Sequence, residues 1–413
     1  MTHRNSPARN TRMIVASGLM LAGATIGLWG CASPGHGKVT SEHLAQAEQR
    51  MSDMHAATEW DMAKQQFLAG DLSKSLKTVD NSIAMSSSVA KSHALRGRIL
   101  YELGQPDAAF EAFQRALAID PEYVEAYYYI GVIHERYREY DKSMDSYLAA
   151  ARLDPGNAQY PLAAAEMLIE TGKLDEAEQI LLDRQTRFEH NAGFRQTLGH
   201  IAQMRGDDDL ASKHFAEARL LAPDDESIME DLAIAQVGAE HFAEADYTLG
   251  QLLKDVHPGD RRDLEHLRVR CLIEMDRPVE ARSILLELTK GIEGANDIRA
   301  WFDLGQVAYK IGDMRRLKIT ASRLTAMAPN RYEGYFLMAA WQRQNGDLKG
   351  ALASLNKASA MTPDESSPML FRGMVLRELG QKDDAAKSFA EALRIDTANH
   401  DAELLLSAVL EDN

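Results

Sequence analysis

The sequence predicts an all-α protein, a solenoid of about ten helix-turn-helix units closed by a C-terminal capping helix, and three recurrences carry this reading. A small or slim residue returns at Ala63, Gly97, Gly131, Ala165, Gly199, Ala233, Val269, Gly305, Ala339 and Gly373. Seven residues after each comes a second column: Gly70, Gly104, Arg138, Gly172, Gly206, Glu240, Asp276, Gly312, Gly346 and Gly380. Five residues further on stands a third: Ser75, Ala109, Ser143, Ala177, Ala211, Ala245, Ala281, Leu317, Ala351 and Ala385. Successive members lie 34 residues apart, apart from two intervals of 36. A period of this length marks stacked copies of one supersecondary unit. It replaces the two or three separate domains that 413 residues would otherwise suggest.

The elements follow in order. Residues 1–12 carry Arg4, Arg9 and Arg12 and no acid, and residues 13–29 are an apolar run rich in Gly and Ala. This is the layout of a secretory leader. The run ends in Leu28-Trp29-Gly30-Cys31, and here the chain resembles a bacterial lipoprotein precursor, although Trp29 departs from the usual small or aliphatic residue. The resemblance implies cleavage after residue 30 and a lipid on Cys31. An uncleaved membrane anchor and a soluble product are the other two readings. Stable anchoring would follow from several acyl chains, each buried methylene contributing about 0.8 kcal/mol. Ala32 stands where lipoproteins retained at the inner membrane commonly have Asp, which implies outer-membrane sorting toward the periplasm, inner-membrane anchoring being the alternative. Loss of the leader would take the net charge from −16 to −19, since three Arg and no acid leave with it. Residues 32–39, with Pro34, Gly35 and Gly37, read as a tether. A leading helix is expected from about Ser41, carrying Leu44, Ala47, Met51 and Met54 at helical spacing, and tether and helix together make up residues 31–55.

Ten units are then expected across residues 56–399, starting near 56, 90, 124, 158, 192, 226, 262, 298, 332 and 366. Facing small residues let two helices approach, and Gly ends a first helix because it accepts the left-handed conformation cheaply. Larger groups fill the remaining space four residues after the third column, at Phe113, Tyr147, Leu181, Phe215, Leu249, Leu285, Leu355 and Phe389. Pro121, Pro155, Pro223, Pro329 and Pro363 close five units where a proline cannot continue a helix. With these columns the sequence resembles the tetratricopeptide repeat family, most fully in Gly97, Gly104, Ala109, Phe113, Ala116 and Asp120-Pro121. The resemblance implies a right-handed superhelical solenoid with a concave, partner-binding face. The seventh unit departs at Val269 and Asp276, and the eighth at Leu317 and Ala321. One unit cannot bury its own apolar face, so the stack needs caps. Residues 400–413 are expected to supply the last one, with Leu404, Leu405, Ala408 and Val409 on its inner side.

No motif points to catalysis or to a cofactor or metal. The thirteen His fall singly, His134-Glu135 lacks a second His, and Gly172-Lys173 lacks the rest of a phosphate loop. The acidic balance excludes a strongly basic nucleic-acid binder. Cys271, flanked by Val269 and Leu272, reads as a small core residue.

Function is therefore expected on first-helix residues pointing away from the helix pair. Toward the N-terminus these are Trp60, Lys64, Phe67, Leu68, Arg98, Tyr101, Tyr128, Val132 and Arg136. Toward the C-terminus they are Phe302, Gln306, Tyr309, Lys310, Phe336, Arg343, Leu370 and Arg377. Aromatics mixed with Arg are the composition of binding hot spots; packing along the stack is the competing explanation. The Lys and Asn set with which some members of the family hold a C-terminal carboxylate is not present, since Trp60, Ala94 and Tyr128 occupy those places. Charge adds a second feature. Residues 298–331 carry Arg299, Lys310, Arg315, Arg316, Lys318, Arg323 and Arg331 against Asp303 and Asp313, a net +5 in an acidic chain. Such an island can steer an acidic partner, or be balanced by neighbouring repeats. These features point to a scaffold holding protein partners, with pilus, secretion or envelope assembly as settings that the resemblance suggests. A transient adaptor of cell-wall or protease enzymes and a polysaccharide-binding accessory of an export system are the rivals.

Overall fold

A computed structural model describes residues 38–411, and among them there are 22 helices and no strand. The residues read as a leader, Cys31 and residues 32–37 of the expected tether lie outside the described residues, whereas Lys38 and Val39, expected in the tether, already belong to the first helix. The chain falls into two compact units, Met1–Gln105 and Pro106–Asn413.

The described part of the first unit is α1 (Lys38–Leu68), α2 (Leu72–Met85) and α3 (Ala90–Glu102). α1 is continuous over 31 residues, as the absence of Gly and Pro between Lys38 and Phe67 allows. Its second half pairs with α2, whose Ser75 and Ser82 hydroxyls donate to the Ala63 and Ala56 carbonyls at 2.7 and 2.8 Å. Leu44, Met51 and Met54 are exposed.

The second unit opens with α4 (Pro106–Ile119) and continues in helix pairs. These are α5 (Val124–Arg136) with α6 (Tyr140–Leu153), α7 (Gln159–Glu170) with α8 (Leu174–Leu182), and α9 (Ala192–Met204) with α10 (Asp208–Leu221). Next come α11 (Glu226–Gly238) with α12 (Phe242–Leu252) and α13 (Arg262–Glu274) with α14 (Pro278–Leu288), followed by the short α15 (Gly291–Asn296). Then follow α16 (Ile298–Lys310) with α17 (Met314–Met327), α18 (Glu333–Gln344) with α19 (Leu348–Met361), α20 (Ser366–Glu378) with α21 (Lys382–Ile395), and finally α22 (His400–Glu411). Within these pairs each second helix packs on its own first helix and on the first helix of the next pair, and α4 packs on α5.

All ten residues of the second sequence column have positive φ, from 57° at Arg138 to 81° at Gly70. The amide after each donates to the carbonyl five residues before it, as in Asp71 to Gln66 and Gln381 to Leu376 at 2.9 Å. That is a Schellman closure, which satisfies a carbonyl the helix would otherwise leave open. Arg138, Glu240 and Asp276 hold this conformation at φ 57°, 60° and 58° without the freedom of Gly. Left-handed φ costs a side-chain-bearing residue about 1–2 kcal/mol. Arg138→Gly is accordingly expected to raise stability by about 1 kcal/mol in urea melts, and Gly172→Ala to lower it by a similar amount.

The third column is buried completely at every position, and so are the large residues four places later. In the second unit the partners match in volume. Gly131 faces Tyr147, Gly199 faces Phe215 and Gly373 faces Phe389; a Cβ on each Gly would stand 2.6, 2.6 and 2.5 Å from the ring. Where the first column has Ala, at Ala165, Ala233 and Ala339, the residue sixteen places later is Leu181, Leu249 or Leu355, each inaccessible to solvent. The eighth repeat inverts the scheme: Leu317 replaces the small residue, Ala321 the large one, and a Cβ on Gly305 would collide with Leu337 from the following repeat.

Three joints depart from the 14-residue second helix. α8 has 9 residues and α12 and α14 have 11, each followed by nine residues before the next first helix instead of four or five. For α12 and α14 the sum lengthens the repeat to 36, whereas for α8 loss and gain cancel. The cap also differs from expectation. α22 turns Ala402 and Val409 inward, with Leu405 and Leu406 packed beside them, while Leu404, 62% exposed, and Ala408 face outward. It takes the register of a next first helix, which puts Leu404 in the row of Phe302, Phe336 and Leu370, 34 residues apart.

Candidate functional site

The first helices α16, α18 and α20 form a groove of about 470 Å3. Its walls come in rungs one repeat apart: Gln306, Ala340 and Met374; Phe336 and Leu370; Tyr309 and Arg343. Leu337, Phe371, Lys310 and Ser367 complete it. The rings interlock, with Phe336 centred 6.2 Å from Phe302 and 5.5 Å from Phe371, and Tyr332 6.0 Å from Phe302. Aromatic edges packed in this way fix the floor.

Arg343 is held on three sides. Its guanidinium lies 5.4 Å over the Phe371 ring, its Nε donates to Glu378 Oε1 at 2.8 Å, and its Nη1 reaches the Tyr309 hydroxyl at 3.4 Å. Gln344 donates to the same hydroxyl at 3.2 Å, and Lys310 pairs with Asp276 at 2.8 Å. The groove thus offers apolar surface for inserted side chains. Tyr309, Gln306 and Ser367 add polar groups at its edge, and little side-chain ordering is left to be done on binding.

The other candidates are placed differently. In the first unit Trp60 donates to the Lys91 carbonyl at 3.1 Å, and Lys91 and Lys64 stand 4.2 and 5.2 Å from its ring. Arg98 covers Phe67 at 4.8 Å, and Tyr101 is half-buried. These aromatics have cations of their own chain on their faces. In the second unit Tyr128 sits among Tyr129, Tyr147 and Tyr160, at 5.3, 5.7 and 5.6 Å, and accepts from Gln159 at 2.7 Å; Arg136 is exposed. Of the basic island, Arg299 stands on α16 beside Asp303, whereas Arg315, Arg316, Lys318 and Arg323 stand on α17. Lys318 lies 4.3 Å from the Trp341 ring and Arg323 4.5 Å from the Trp301 ring. The strip is therefore carried by a second helix and is not part of the groove wall, to which only Lys310 belongs.

The groove's floor, Leu337 and Phe371, is not among the residues the sequence singles out; both sit one place after the Phe336 and Leu370 rung, where the same 34-residue spacing marks them. Nor does the sequence announce a polar node at the α14–α16 joint. Asp297 caps α16 by accepting from the Ala300 amide at 2.9 Å, receives Arg262, and lies 2.9 Å from His266 Nε2. Burial opposes its ionisation, but the Ala300 amide, Arg262 and His266 outweigh burial and hold the carboxyl below its ordinary range. Cys271 is buried, and burial with nearby Asp246 pushes its thiol up to about 11, which leaves it unreactive at neutral pH. Among the described residues no three His, Cys, Asp or Glu side chains group to hold a metal, and no helix is long and apolar enough to cross a membrane.

Two stretches match family models: residues 97–136 a TPR repeat and residues 341–400 a tetratricopeptide repeat. The chain carries tetratricopeptide repeats. The second match overlaps the groove, from Trp341 through α20. The repeats are similar to those of the TPR repeat-containing protein MJ1428 of Methanocaldococcus jannaschii, 25% identical over 193 residues, which are 45% of this chain and 34% of that protein. They are also similar to anaphase-promoting complex subunit 3 of Schizosaccharomyces pombe, 31% identical over 122 residues, 30% of this chain and 18% of that one. The chain thus spans about a third or less of these relatives. Among solved structures, the Cut9-Hcn1 hetero-tetramer of the APC/C aligns over 90% of this chain and 95% of that one, at 12% identity and a TM-score of 0.42. PilW, a type IV pilus biogenesis factor, aligns over 48% and 93%, at 16% identity and a TM-score of 0.42.

Proposed function

We propose that this chain is a non-catalytic protein-binding scaffold whose partner inserts an apolar segment into the α16–α18–α20 groove. We further propose that a lipid on Cys31 holds it at a bacterial membrane, facing the periplasm, where it serves assembly of an envelope structure. One observation carries the docking site: three successive first helices present an apolar groove whose polar rim, Tyr309 and Arg343, is already tied in place. Preformed sites of this kind keep more of their contact energy as affinity. The leader and the Leu28-Trp29-Gly30-Cys31 sequence support the anchor. A photo-crosslinking residue at Tyr309 is expected to trap a protein in the membrane fraction, and one at Ser322, exposed on α17, is not. With Cys31→Ser the same adduct should leave the membrane fraction. Recovery of polysaccharide alone would overturn the protein-scaffold reading.

A further inference from the structure

A second cavity, unrelated to the groove, lies where α8 stops early. Its volume is about 370 Å3, and three arginines line it: Arg152 of α6, and Arg184 and Arg187 of the irregular turns after α8. The early stop puts them there. A full-length second helix would carry residues 183–187 on helical turns. Instead Arg187 donates to the Pro155 carbonyl of the preceding repeat at 3.0 Å, and Arg184 to the Ile180 carbonyl at 3.1 Å.

Each bond uses one of the five donors of a guanidinium and leaves the rest. Among the described residues no carboxylate lies within ion-pair distance of any of the three, in a chain of net charge −16. Asp183 also lines the cavity, but it accepts from Gln179 at 2.6 Å. Asn157 accepts from the Gln159 amide through its Oδ1 at 3.0 Å, and its side chain also hydrogen-bonds Tyr160. The opposite walls are apolar: Ala151, Pro155, Pro161 and Phe188, the last fixed against Phe194 with ring centres 4.9 Å apart.

Three guanidiniums against the single carboxylate of Asp183 leave the lining net positive, and a bound anion offsets the remaining repulsion. Guanidinium forks match oxyanions. Three of them suit the three oxygens of a phosphoryl group better than the two of a carboxylate. The volume is several times that of a phosphate and falls in the range of small-ligand sites. We propose that this cavity binds a small organic phosphate, its phosphoryl group among Arg152, Arg184 and Arg187 and its apolar body against Phe188 and Pro161.

Titration calorimetry of the full chain with phenyl phosphate, inorganic phosphate and benzoate tests this. Saturable binding of phenyl phosphate is expected, weakened about tenfold for benzoate, and about fivefold for inorganic phosphate because the apolar wall is then unused. Arg152→Ala should weaken phenyl phosphate about tenfold with an unchanged melting temperature, since Arg152 makes no ion pair that folding needs. Arg187→Ala should weaken it similarly. Absence of saturable heat with phenyl phosphate, or equal affinity in the Arg152→Ala, Arg187→Ala double variant, would overturn the site. Equal binding of phenyl and inorganic phosphate would overturn the assignment of an organic body.

Discussion

Gly199→Ala is expected to destabilise the chain by about 2 kcal/mol, although Ala is the better helix former by about 1 kcal/mol. The new Cβ would stand 2.6 Å from Phe215 Cε1, and the ring is inaccessible to solvent with no room to withdraw. Phe215→Leu alone should cost about 1–2 kcal/mol by opening a cavity. The two together should cost less than about 1 kcal/mol, because Ala over Leu is the pair that Ala165 with Leu181, Ala233 with Leu249 and Ala339 with Leu355 already use. Urea melts of the four proteins give the coupling directly. Additive losses would mean that the Gly-aromatic and Ala-Leu pairs are not interchangeable solutions of one packing problem.

Asp297→Ala is expected to cost about 3 kcal/mol. The variant loses the N-cap of α16, typically worth about 1 kcal/mol, and leaves a half-buried Arg262 and a buried His266 without their carboxylate. In a repeat array such a loss opens the joint locally before the whole chain unfolds, so amide exchange should rise first in α13 and α16. The effect has a definite pH sign. Asp297 is more acidic folded than unfolded, so its contribution is fully present above about pH 4, the ordinary carboxylate value, and is lost as pH falls through the lower folded value. The stability difference between wild type and Asp297→Asn should close along that acid limb. A difference unchanged down to pH 2 would show that the charge of Asp297 does not matter.

What the sequence makes legible is whatever repeats. The turn column has left-handed φ even at Arg138, Glu240 and Asp276, whose residue types give no hint of it; the period alone marks them. Gln306, Tyr309, Lys310, Phe336, Arg343 and Leu370 are first-helix positions chosen by register, and all line one groove. The same register placed Trp60 and Phe67, but no column shows that Lys91 and Arg98 will lie over their rings. The joints are the least legible. Two show as 36-residue intervals, yet the shortened α8 keeps the period at 34 because five residues lost from the helix reappear in the turn. Asp297 and its partners are 31 and 35 residues apart, so their meeting follows from the stacking and not from any local motif. In the cap, the row of Phe302, Phe336 and Leu370 continues to Leu404, which is why that leucine faces outward where an inward side was expected.

The proposed scaffold function rests on the groove of α16, α18 and α20. With the partner trapped from Tyr309 in hand, its dissociation constant should be measured against wild type, Leu370→Glu in the groove wall and Ser322→Glu on the exposed face of α17, each with an unchanged melting temperature. A buried carboxylate among Phe336, Phe371 and Met374 should weaken binding about a hundredfold, as loss of a central hot spot does, while Ser322→Glu should leave it unchanged. Wild-type affinity in Leu370→Glu would contradict docking in this groove.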